Sequence, residues 1–109
     1  MSLTDKQKKT VAEWMGWQRE RGSDTTFCRP TFEDGVGVAV NFSLNDAALC
    51  VEKIQKREEW LRFIFFAAGL HRKNHIGQNF TAWLMTMESD EAVNFFTAMA
   101  AWIEEEKGI

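Results

Sequence analysis

Apolar and polar positions along the chain switch between two periods. Over residues 4–16, Val11, Trp14 and Met15 recur at i, i+3 and i+4, the spacing of one helix face. Thr4 is a suitable N-cap, and Asp5 suits the positive end of a helix. Gly16 fits the left-handed position after the last turn, with Trp17 folding back onto it. Alternatively the helix continues through Gly16 to Arg21, at about 1 kcal/mol relative to alanine. Residues 18–41 are the least regular part. Arg29-Pro30 and Glu33-Asp34-Gly35 are turn signals. Val36, Val38 and Val40 alternate with Gly37 and Ala39, which is compatible with a short strand.

Ser43-Leu44-Asn45-Asp46 has the Ser-x-x-Asp pattern that opens a helix. Leu44, Ala47, Ala48, Val51 and Ile54 follow at helical spacing, so a second helix is expected over 44–58. Residues 60–67 are aromatic and β-branched and read as a strand. Arg62, Ile64 and Phe66 would lie on one face, and Leu61, Phe63 and Phe65 on the other. Residues 69–78 read as a turn region. Phe80 to Met87 reads as the returning strand, with Thr81, Trp83, Met85 and Met87 on one face, giving an antiparallel hairpin. Both faces of that hairpin would be apolar and would need cover or a partner. Ser89-Asp90-Glu91 announces a last helix over 90–106, whose apolar stripe (Val93, Phe96, Met99, Ala100, Ile103) is widened by Phe95 and Trp102. The acids Glu104, Glu105 and Glu106 oppose the dipole at its C-terminus, so this end is expected to fray. The expected fold is therefore α+β, with a small antiparallel hairpin or sheet packed between α-helices, in one domain over residues 1–109.

Composition narrows the classes. The chain has 109 residues, 45% of them hydrophobic and 27% charged, with a net charge of −3. That suits one domain with a buried core and argues against intrinsic disorder. No apolar run approaches the ~18 residues of a membrane span. The charged N-terminal residues Asp5, Lys6, Lys8, Lys9, Glu13 and Arg19 do not resemble a signal peptide. Two cysteines, Cys28 and Cys50, are fewer than a small secreted domain usually carries, which points to a reduced cytoplasmic setting. Nine phenylalanines and five tryptophans stand beside no tyrosine. Such a surplus either fills the core or leaves an interaction surface.

The search for chemistry returns little. His71-Arg72-Lys73-Asn74-His75 has metal-like i, i+4 histidines but no HExxH glutamate, and adding Cys28 and Cys50 gives no zinc-module spacing. The stretch reads as a basic hairpin tip, with His71, Arg72, Lys73 and His75 as candidate contacts. Gly35-Val36-Gly37 lacks the third glycine and the following helix of a dinucleotide loop. Cys28 beside Arg29 could have a lowered pKa but has no orienting partner, and Cys50 reads as a small core residue. No catalytic residue, metal ligand or cofactor is assigned.

The order of motifs carries a resemblance. Val11-Ala12-Glu13-Trp14-Met15-Gly16-Trp17 precedes Phe42-Ser43-Leu44-Asn45-Asp46-Ala47-Ala48 and Val51-Glu52-Lys53-Ile54. A two-strand segment is expected next, then Ala100-Ala101-Trp102-Ile103-Glu104-Glu105. This resembles the small phage and prophage proteins of the phage α-β-α (ABA) sandwich family, over roughly residues 10–20 and 41–106. The segment 18–40 is longer and less regular than that pattern. The resemblance implies a phage or prophage origin, a bacterial cytoplasm and a sheet between helices, and it brings no site residues.

The expected function is that of a non-catalytic accessory protein, binding a protein of host or phage origin or a second copy of itself. The candidate contact surface is Trp60, Phe66, Trp83 and Trp102. A nucleic-acid partner held by Lys6, Lys8, Lys9, Arg72 and Lys73 is the first alternative, and a small ligand-binding protein or enzyme the second. No membrane partner is expected.

Overall fold

The computed structural model of the chain describes residues 3–19, 26–29, 38–74, 79–88 and 91–107. Pro30, Glu33–Gly37, His75–Gln78 and Ser89-Asp90 lie outside the described residues, and with them parts of the turn, tip and helix-start expectations.

Helix α1, Asp5–Met15, begins as its sequence dictates. The Thr4 hydroxyl accepts from the Gln7 amide at 3.1 Å, and the Gln7 side chain accepts from the Thr4 amide at 2.9 Å. This reciprocal pair satisfies two of the donors that a helix start leaves open. The helix stops at Gly16, at φ 78° in the left-handed region. The Trp17 amide then donates to the Ala12 carbonyl at 2.9 Å and Gly16 to Glu13 at 3.2 Å. These are the bonds of a Schellman motif. They turn the Trp17 side chain back into the core, and the extension to Arg21 does not occur.

The segment of weakest sequence pattern supplies the sheet. Strands β1 (Gln18–Arg19), β2 (Phe27–Arg29) and β3 (Val38–Val40) form an antiparallel sheet in the order β1-β2-β3. Gln18 pairs with Cys28, and Phe27 with Val40. Phe27 and Val40 point into the core, while Ala39 is exposed, as the period of two requires.

Helix α2, Leu44–Lys56, opens at the predicted Ser43. The buried Asp46 carboxylate accepts from the backbone amides of Asn41 (3.1 Å) and Ser43 (3.4 Å). It ends in a second Schellman arrangement. Glu58 donates to Gln55 at 3.0 Å and Glu59 to Ile54 at 3.1 Å, with Glu58 at φ 58°.

The expected hairpin of 60–67 and 80–87 does not form. Residues 60–67 belong to helix α3, Trp60–Asn74, and residues 80–84 to the short helix α4, Phe80–Leu84. At helical spacing Phe63, Ala67 and His71 fall on one buried stripe, while Leu61 and Phe65 fall opposite. Reading the run at period two placed Phe63 and Phe65 together. Aromatic strand preference is a weak, context-dependent signal, and here helix packing overrides it. Asn79 caps α4, its side-chain oxygen accepting from the Ala82 amide at 3.1 Å.

Helix α5, Val93–Glu106, is the centre of the molecule, with α1, α3 and α4 packed on it. Its start is tied to the loop before α2 by the Ala92 amide, which donates to the Phe42 carbonyl at 2.8 Å. The helix runs to Glu106, and its acidic end has cations beside it. Lys6 of α1 lies 3.7 Å from Glu104, and Arg62 of α3 lies 3.5 Å from Glu106. Among the described residues the chain thus has an α+β fold, a small antiparallel sheet packed with helices. No helix of the described residues is long and apolar enough to cross a membrane.

Candidate partner-binding surface

Most of the aromatic surplus is core. Trp14 meets Trp102 edge to face at 5.8 Å, Trp102 meets Phe63 at 5.6 Å, and Phe63 meets Phe95 at 5.5 Å. The chain of rings continues from Phe95 to Phe96 (5.2 Å), Phe42 (5.2 Å) and Trp17 (6.0 Å). These contacts join α1, α3, α5 and the loop before α2. Each edge-to-face pair adds about 0.5–1.5 kcal/mol beyond area burial.

This packing rearranges the expected contact surface. Trp102 is only 2% exposed and Trp83 only 5%, so neither offers a face to a partner. Trp60 and Phe66 are half-buried on the two flanks of α3, packed against the core. The exposed apolar side chains on α3 are instead Leu61, at 69%, and Phe65, at 71%. They stand one turn apart, so they form a single patch. The signal was in the sequence: on a helix, the same spacing that buries Phe63 and Ala67 puts Leu61 and Phe65 outside.

The basic tip also divides. It is the last turn of α3 rather than a hairpin end. His71 is buried, its ring 5.5 Å from that of Phe80 and 5.4 Å from that of Trp83, where it seats α4 against α3. Arg72 and Lys73 are exposed, and His75 lies outside the described residues.

The cations of the nucleic-acid alternative are partly engaged. Lys6 pairs with Glu104, and Lys8 pairs with Glu91 at 3.2 Å, both acids at the two ends of the α5 region. Such pairing lowers the charge that α1 could present to phosphates.

Cys50 is fully buried on α2, and burial, then the nearby Asp46 carboxylate, push its thiol pKa far up. It stays a neutral thiol and a core side chain. Cys28 and Cys50 are both free cysteines. Lys53 ties α2 to α1. Its ammonium donates to the Trp14 carbonyl at 2.7 Å and sits 4.9 Å over the Trp14 ring. Burial and the neighbouring Arg57 cation lower its pKa. Among the described residues no three His, Cys, Asp or Glu side chains are placed to hold a metal ion. A cavity of about 270 Å³ opens between Trp14, Arg57, Glu59, Trp102, Ile103, Glu106 and Lys107, with neither Cys28 nor His71 in its lining.

The fold and this surface define a small α+β domain with an outward apolar helix face. No family model matches the chain, and neither a curated protein nor a solved structure is similar enough to it to count as a match.

Proposed function

We propose that this chain is a non-catalytic binding protein whose contact surface is the outward face of α3. The observation that carries the reading is the adjacent exposure of Leu61 and Phe65, in a chain whose other described aromatic side chains are buried or half-buried. Large apolar side chains left together on a surface mark contact sites. The helix motifs from Trp14-Met15-Gly16-Trp17 to Ala101-Trp102-Ile103 are what supports a phage or prophage accessory protein working in the bacterial cytoplasm, while α3 and α4 stand where that pattern has two strands; its partner would be a protein of host or phage origin or a second copy of itself. Steric occlusion or assembly is the mode of action that such a surface serves, with no bond made or broken.

The test is a pair of variants, Leu61→Asp and Phe65→Asp. Both positions are exposed, so both variants retain the wild-type circular dichroism spectrum and melting behaviour. Tagged wild type and variants are used to capture proteins and nucleic acids from bacterial lysate. A protein retained by wild type at near-equal stoichiometry and lost from both variants is the expected result. Folded variants that retain everything the wild type retains would overturn the assignment of this face.

A further inference from the structure

We infer that the cavity where α1, α2 and α5 end is a site for a small uncharged molecule with an apolar body and a carbonyl oxygen, which accepts a hydrogen bond from the Trp102 indole. This goes beyond the α3 face and does not rest on it. The first observation is the place. Trp14 lies in the last turn of α1, Arg57 caps the end of α2, Glu59 precedes α3, and Trp102, Ile103 and Glu106 lie in the last turns of α5. Together with Lys107 they line one opening of about 270 Å³. Gaps between packed helices are common ligand sites, and this one has the size for a molecule smaller than a typical drug. Trp14, Trp102 and Ile103 supply its apolar wall.

The second observation is an unmatched donor. Trp102 is buried, and its Nε1–H has no acceptor among the described residues. The rings it meets, Trp14 at 5.8 Å and Phe63 at 5.6 Å, carry no acceptor oxygen. Leaving a buried donor alone costs more than an ordinary hydrogen bond returns, so such groups are almost always partnered. The cavity is the space beside this ring in which an acceptor can sit. The third observation is charge, which selects the class. Arg57 donates to Glu59 at 3.3 and 3.4 Å, Glu106 is paired with Arg62 at 3.5 Å, and the Lys53 ammonium is turned to the Trp14 carbonyl. Three helices bring their partially negative ends to this opening, which works against an anion. Arg57, Lys107 and the indole donor work against a cation. An uncharged acceptor is opposed by neither.

Benzamide is the probe that tests this, because it joins an apolar ring to a carbonyl and carries no charge. It is titrated into the full chain while the Trp102 indole N–H is followed by proton–nitrogen NMR. A saturable downfield shift of that resonance is expected. Toluene keeps the ring and lacks the oxygen, and is expected to bind about tenfold more weakly, the worth of one hydrogen bond to a buried donor. Benzoate and benzylammonium are expected to bind less tightly than benzamide. Trp102→Phe keeps a ring and removes the donor, so the folded variant should bind benzamide no better than toluene, read on the Lys107 backbone amide. If that variant does not fold, the comparison of benzamide with toluene on the wild type decides alone. A Trp102 resonance that does not move, or toluene bound as tightly as benzamide, would overturn the inference and leave the cavity to water. Tighter binding of benzoate or benzylammonium would overturn the uncharged class. Phe65→Asp is expected to leave the titration unchanged, so failure here and failure of the α3 face are separate results.

Discussion

Helices α3 and α5 are both rich in aromatic and aliphatic side chains, yet they meet their surroundings differently. Phe95, Phe96 and Trp102 of α5 are all buried, because α1, α3 and α4 surround that helix. On α3 the fully buried Phe63 sits two residues from Phe65, which is largely exposed. Composition does not separate the two helices. Position relative to neighbours does. A residue type that is core on one helix is a surface on the next, and a two-residue step is enough to change its role.

Mutations along α3 sharpen this contrast. Phe63→Ala removes a ring in contact with Trp60, Phe95 and Trp102 and should destabilise the fold by about 3–5 kcal/mol, read by chemical denaturation. A loss no greater than that of an exposed position would break the contrast. Gly69→Ala should stabilise the protomer by about 1 kcal/mol, since the site is helical and open. Glu58→Gly should give a smaller gain, about 0.5 kcal/mol, by relieving a left-handed conformation that a side chain disfavours. Phe65→Ala should change stability by less than about 0.5 kcal/mol, under conditions where the protein is monomeric. A large loss there would mean that the outward face is packed within the protomer.

The two Schellman stops show how much of the fold was legible. At Gly16 the residue type announces the left-handed turn, and the end of α1, its capping Thr4 and the return of Trp17 could all be read. At Glu58 the same hydrogen bonds form without glycine, and nothing in the residue type marks the stop. The Ser43–Asp46 opening of α2 and the stripe of α5 were legible for the same local reason as Thr4. The run from Trp60 to Ala67 was not, because an unbroken apolar stretch satisfies period two and period 3.6 equally. The sheet was hard to see because its strands are only two or three residues long, too short for a period of two to stand out. Of the expected contact residues, Trp83 and Trp102 were misplaced because tryptophan suits cores and interfaces alike, and only its neighbours decide between them.

What the sequence determined alone is therefore local: where α1 and α2 begin, where α1 ends, and that the chain holds one core of large side chains; the last helix starts at Val93 rather than at the expected 90. Those features rest on backbone groups that find partners within four or five residues. Only the tertiary structure decided that α3 is a helix with Leu61 and Phe65 outward, that His71 seats α4, and that the acids ending α5 meet Lys6 and Arg62. Each of these depends on surfaces and charges brought together from distant parts of the chain, and burial is a property of the assembled neighbours rather than of the residue.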